Sequence, residues 1–161
     1  MACKERLVTY LQEQQVPFQT HDHRTAYTSD QMAEAEHIPG KMVAKAVIAF
    51  ADGKMVMLVL PATYLVNYAK AAAALGVHEF RLAVEDEFTS SFPDCEIGAL
   101  PVFGNLYGLP VYVDKSLAED DVIVFPVGTH TESMRIRYAD FERLVRPKVV
   151  ELARQKAGYM A

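Results

Sequence analysis

The chain has 161 residues, 51% hydrophobic and 23% charged, which is enough apolar content for one ordinary core and argues against wholesale disorder. No apolar stretch approaches the ~20 residues of a membrane span, and the N-terminus MACKERLVTYLQEQ is charged where a signal peptide would be apolar, so a cytoplasmic protein is expected. A net charge of −5 argues against broad binding to duplex DNA, which needs dense basic surface, but leaves room for grasping the end of one strand.

The first predicted element is a helix over about residues 3–14, with Leu7, Val8 and Leu11 as its apolar stripe and Val16-Pro17 as its stop. Phe18 to His21 is short and extended. Thr28-Ser29-Asp30-Gln31 fits a capping box and opens a helix that Ile38-Pro39-Gly40 ends. Met42 to Phe50 then has apolar residues at both alternating parities, the pattern of a strand buried on both faces. Asp52-Gly53 signals a hairpin, and Met55 to Leu60 is the return strand. A helix is expected over 64–75, with Gly76 just past its end. Glu79 to Leu82 is a short strand and Glu85 to Ser91 a short acidic helix. Residues 95–110 carry Gly98, Pro101, Gly104, Gly108 and Pro110, too many breakers for a regular element and a kind of loop that often holds function. Strands at 111–114, 122–125 and 134–138 follow. Asp140 is expected to cap a final helix, bent or restarted at Pro147.

These elements do not alternate as βαβ units. The expectation is one domain over 1–161, of mixed α/β or α+β class, with a curved, mostly antiparallel, barrel-like sheet of about seven strands surrounded by five or six helices. There are no repeats and no linker. Cys3 lies near an end expected to fray and Cys95 in a loop. Two cysteines are too few for a disulfide framework, neither has CxxC or zinc spacing, and nothing around Cys95 marks it as a nucleophile.

The sequence lacks GxGxxG, a P-loop, GxSxG and HExxH, so the usual hydride, phosphoryl, serine-hydrolase and zinc signatures give no support. The carboxylates Asp30/Glu34 and Glu85/Asp86/Glu87 suit caps and helix-dipole partners better than acid/base pairs. Arg135, Arg137, Arg143, Arg146 and Lys148 form a late basic cluster that a solvated helix face would also explain. His21 and His23 flank Asp22 in a polar stretch, and His37 and His78 sit at element ends.

Three features remain. Lys45 is the one charge in the 42–50 strand; an ammonium buried there needs a partner, water or a ligand, unless it snorkels from the strand mouth. The loop Ile97-Gly98-Ala99-Leu100-Pro101-Val102-Phe103-Gly104 has a glycine whose N–H can approach and donate to a carbonyl oxygen, with Pro101 as a stiffener; a simple tight turn is the alternative. Gly128-Thr129-His130 is a turn with a histidine able to titrate near neutrality.

Taken in order, the strand lysine in Val43-Ala44-Lys45-Ala46-Val47, the Gly-x-x-Pro loop and the Gly-x-His turn resemble the YbaK / prolyl-tRNA synthetase editing-domain family, from about Val16 to Leu144. The chain departs from the family pattern in having Val102 where a second proline is common, and Ala46 where several relatives have a hydroxyl residue. The resemblance implies an aminoacyl-tRNA deacylase that acts in trans on the ester of a mischarged tRNA, with alanyl-tRNA(Pro) the natural first substrate. It implies Lys45, Gly98 and His130 as catalytic residues. Gly98 would polarise the carbonyl, Lys45 would hold the terminal phosphate or ribose, and His130 would orient the adenosine or a water. Met42, Pro101, Val102, Phe103, Gly128 and Thr129 are the expected binding residues. No metal or organic cofactor is implied; the expected partners are the tRNA 3′ acceptor end and a synthetase. A non-catalytic module of the same fold that binds an aminoacyl or nucleotide end, and a hydrolase of free amino-acid esters, are the competing readings.

Overall fold

The structure is a computed structural model that describes residues 2–156. Its helices are α1 (Cys3–Glu13), α2 (Ser29–Glu36), α3 (Tyr68–Leu75), α4 (Glu85–Phe88) and α5 (Tyr138–Val145). Its strands are β1 (Gln19–Asp22), β2 (Ala44–Ala51), β3 (Lys54–Pro61), β4 (Tyr64–Val66), β5 (Phe80–Leu82), β6 (Val111–Asp114), β7 (Val122–Pro126), β8 (Glu132–Arg137), β9 (Lys148–Val150) and β10 (Ala153–Gln155). Five strands form one mixed sheet in the order β5-β2-β3-β6-β9, antiparallel through β3 and parallel beyond it. A second, antiparallel sheet runs β1-β8-β7, and β10 pairs with β4.

The mixed α/β class and the predominance of antiparallel pairs agree with expectation; the barrel-like sheet does not. Closure needs a continuous ladder between the sheet edges. Here the one bridge between the two sheets among the described residues is the isolated parallel pair Val43–Val124, just before β2, so no closed barrel is found there.

Local chemistry explains the elements that were foreseen. Leu7 and Leu11 are wholly buried and dock α1, each contributing about 2 kcal/mol. The Thr28 hydroxyl accepts from Gln31 N at 3.1 Å, while the Gln31 side chain reaches back to Tyr27 N at 2.8 Å; the Asp30 side chain lies outside the described residues. Asp52 and Gly53 have φ of +49° and +81°, the pair of positive angles that a tight type I′ hairpin requires.

Three expectations fail because long-range pairing overrides local signals. The helix expected from residue 64 starts at Tyr68, capped by Asn67, because Tyr64–Val66 pairs with β10. The last helix begins at Tyr138 with Asp140 inside its first turn, and beyond Pro147 the chain forms β9 and β10 rather than more helix. The two cysteines, expected to be too few for a disulfide framework, are joined in one disulfide between positions 92 residues apart. Cys3 is buried at the start of α1 rather than frayed, because the docked helix carries it over the loop that holds Cys95.

The core divides around β2 and β3. One face of β2 (Ala44, Ile48) joins the main cluster with α1, α5 and the aromatic group Phe103, Phe125 and Phe141; the other (Ala49, Ala51) packs with Ala71 of α3 and Leu152. The C-terminal segment is pinned by Asp114, which is buried. Its carboxylate accepts from Leu152 N at 2.8 Å and Ala153 N at 3.0 Å, and from Ser116 N at 3.1 Å. Asp114→Ala is expected to cost about 3 kcal/mol by stranding two buried N–H groups, read as a lowered urea midpoint; an unchanged midpoint would show that the β10 segment is held by other means.

Candidate active site

Glu96 to Ala99 is a four-residue turn closed by Ala99 N donating to Glu96 O at 3.0 Å. Gly98 is its third residue with φ +85°, the angle a type II turn demands there and the reason for a glycine. Gly98 is exposed, and its N–H has no hydrogen-bond acceptor among the described residues. Downstream, Pro101, Val102 and Phe103 are buried in sequence, with Phe103 edge-on to Tyr10 and Phe141. The loop is therefore rooted in the main core, and Val102 and Phe103 support it from inside.

The second wall is the turn at Gly128, Thr129 and His130. Gly128 N donates to Ala99 O at 2.8 Å and Glu96 N donates to Gly128 O at 2.8 Å, so one residue bonds both ends of the Gly98 turn. Gly128 has φ +103°, and a Cβ there would stand 2.7 Å from Cys3 Cβ. The Thr129 hydroxyl donates to Glu132 at 3.2 Å, and Glu132 is also paired with Lys4 of α1. Thr129 thus buttresses the turn.

His130 is brought directly against Gly98: a Cβ at Gly98 would lie 3.3 Å from the His130 ring carbon Cε1. His130 Nδ1 is 3.3 Å from the Ala26 carbonyl, which can only accept, so Nδ1 carries the proton. Nε2 lies 3.8 Å from the Glu96 carboxylate, with which it pairs when the ring is protonated. The ring packs at 4.8 Å against Tyr27, the two planes tilted by 51°, and Tyr27 is 67% exposed. Tyr27 is a residue that sequence reasoning missed. It sits just before the capping box in a polar stretch, where nothing local distinguishes it from a surface tyrosine.

Lys45 is half-buried on β2 opposite Leu60. Side chains alternate across a strand, so it shares a face with Val43, which packs with Ala26, Met32 and Val124. Ala26 is the residue whose carbonyl meets His130. Through Val43, two residues before it, Lys45 borders the small cluster that contains Ala26. Met42 is half-buried in the 3-10 turn Gly40–Met42 that feeds β2.

The other candidates have structural partners. Cys95 is in the disulfide, so it is no free nucleophile here. His21 is 2.7 Å from Glu36, His37 is the left-handed C-cap of α2, and the His78 N–H donates to Asp52. The Arg81 guanidinium bonds both oxygens of Glu87 and holds its carboxyl at about 2, with help from Val84 N, too low for general acid catalysis at neutral pH. No group of three or more potential metal ligands occurs among the described residues.

Relatives share this architecture. A crystal structure named as that of a candidate trans-editing enzyme for prolyl tRNA synthetase superposes with a TM-score of 0.81 at 18% identity, covering 96% of this chain and 98% of its own. A hypothetical protein, APE2540, gives 0.84 at 13% identity over 92% of this chain and 99% of its own. At such identities these likenesses establish the fold alone. Proline–tRNA ligase of Acidithiobacillus ferrooxidans is 28% identical over 151 residues, 92% of this chain, which spans only 26% of the ligase. Residues 23–144 match the aminoacyl-tRNA editing domain, a stretch that takes in Lys45, Gly98 and His130, and the chain belongs to that family.

Proposed function

We propose that this chain is a deacylase acting in trans, hydrolysing the ester between a small, wrong amino acid and the 3′ end of a tRNA, in the cytoplasm where charged tRNA is used. The observation that carries the reading is the exposed Gly98 N–H, which has no acceptor among the described residues, at a glycine of positive φ where an added Cβ would meet the His130 ring at 3.3 Å. An aminoacyl ester needs a donor where its carbonyl oxygen gains charge, and a donor already in place costs no reorganisation.

In this scheme the ester carbonyl accepts from Gly98 N–H. A water held by His130 Nε2, or relayed through the substrate's own ribose hydroxyl, adds to the carbonyl carbon. The C–O bond then breaks, and the terminal ribose hydroxyl leaves with the water's proton. Glu96 lies close enough to steady the imidazolium while the proton is in transit. Lys45 acts by position, holding the terminal phosphate or ribose; its half-buried setting strengthens that attraction relative to open water. Met42 and Tyr27 border the entrance, with Tyr27 available to the terminal base. Every step is assigned to side chains, backbone and substrate, without a metal.

The acceptor end would leave along β8. Arg135 and Arg137 are exposed on that strand, share one face about 7 Å apart, and have no acidic partner among the described residues. Arg143, Arg146 and Lys148 of the basic cluster are exposed too but lie beyond β8, and Arg143 is held by Asp140 at 3.2 Å. The name of the trans-editing neighbour and the proline–tRNA ligase match make tRNA(Pro) and its synthetase the first partners to test.

A panel of mischarged tRNAs, scored for amino-acid release, tests the whole reading. The wild type is expected to deacylate at least one small aminoacyl-tRNA, and Lys45→Ala to lose most of that rate while retaining a folded circular-dichroism spectrum. A wild type that binds these tRNAs and hydrolyses none of them makes the chain a binding module instead. Gly98→Ala adds a Cβ in a left-handed backbone and against His130. A rate loss of about 100-fold is expected, the lower end for a lost oxyanion donor; an unimpaired rate removes Gly98 from the mechanism. For the Arg135→Ala/Arg137→Ala double variant, KM should rise severalfold, the salt dependence should flatten by about one to two ions, and kcat should hold. A bare aminoacyl-adenosine should not sense the change, and if it does the arginines serve something other than the stem.

A further inference from the structure

We propose that the Cys3–Cys95 disulfide is an exchangeable clamp on the site, so that thiol–disulfide exchange sets how firmly the Gly98 donor is held. The effect on activity rests on the deacylase reading above; the clamp itself does not.

The bond is placed where it touches both walls. Cys95 immediately precedes Glu96, whose N–H bonds Gly128 O, and it stands three residues before Gly98. Its partner Cys3 fills the space over Gly128, whose missing Cβ would fall 2.8 Å from Cys3 Sγ. One covalent link thus ties the start of α1 to the loop, and its sulfur packs on the turn. The neighbouring contacts of Lys4 with Glu132, and of Glu132 with Thr129, run in parallel with it.

The surroundings favour exchange in one direction. Cys95 is half-buried and Cys3 almost wholly buried, so an incoming thiolate reaches the Cys95 sulfur first. The leaving group is then Cys3, at the first position of an 11-residue helix, where the helix N-terminus stabilises a thiolate. Tyr107 places its hydroxyl 3.5 Å from both sulfurs and Arg6 lies 5.0 Å over the Tyr107 ring. Burial pushes the Tyr107 phenol up, so it remains a donor to whichever sulfur carries charge. With a dithiol reductant the steps balance. One thiolate attacks Cys95 Sγ, the S–S bond breaks and its electron pair leaves on Cys3. The second thiol of the reductant attacks its own sulfur in the mixed disulfide and releases the Cys95 thiolate. The two cysteines take up two protons, and the dithiol becomes a disulfide. Cytoplasmic disulfides are characteristically transient or sensing rather than structural, and the docking of Leu7 and Leu11 keeps α1 in place without this one.

The test compares the full chain after oxidised glutathione and after dithiothreitol, by thiol titration, amide hydrogen exchange and deacylation. Free thiols should go from none to two. Exchange at Glu96 and Gly128 should quicken at least tenfold on reduction, with the β2 and β3 amides unchanged. Cys95→Ser, or Cys3→Ser should the first fail to fold, should match the reduced protein in either redox buffer. Deacylation should fall about three- to tenfold on opening. Two free thiols that persist in oxidised glutathione, or exchange indifferent to redox state, overturn the clamp. Exchange that responds while no mischarged tRNA is hydrolysed in either state supports the clamp and sinks the deacylase reading.

Discussion

Gly128 is the residue on which the site's geometry depends. Its N–H and its carbonyl bond the two ends of one four-residue turn, its φ is in a region that side chains avoid, and the space its Cβ would need is filled by Cys3. Those demands coincide at one position, and only glycine meets them together. Through it the three-stranded sheet, the first helix and the Gly98 loop are fixed to one another. A backbone donor can favour a developing negative charge only if it is already aimed when the charge appears; in the proposed mechanism this bracing supplies the aim.

The rigidity comes from the core, and the proposed chemistry sits at its edge. Pro101, Val102 and Phe103 anchor the loop in the main aromatic cluster, so that Gly98 projects from a buried base. Likewise His130 is fixed on one side by the Ala26 carbonyl and on the other by Tyr27, with Nε2 turned toward Glu96. Val102, where a second proline is common in the family, is wholly buried in the main core.

What was legible in the sequence follows the range of the forces involved. The Thr28 cap, the Asp52-Gly53 hairpin and the α1 stripe depend on residues a few positions apart, and each was visible in the letters. The strand at Tyr64–Val66 depends on Ala153–Gln155, and the split into separate sheets depends on how far β2 follows β7; neither has a local signature. The same holds at the site. Gly98, His130 and Lys45 stand in recognisable motifs. Tyr27 and the Cys3–Cys95 pair do not, since a polar-stretch tyrosine and two distant cysteines acquire meaning only when β1 and α1 fold across the turn.

Amide hydrogen exchange across residues 95–130 of the oxidised protein tests the bracing most directly. The account predicts that Glu96 and Gly128 exchange as slowly as the β2 and β3 ladder, that Gly98 exchanges at the rate of an open amide, and that a non-hydrolysable aminoacyl-adenosine slows Gly98 selectively. Fast exchange at Glu96 and Gly128, or a Gly98 amide already protected without ligand, would contradict it.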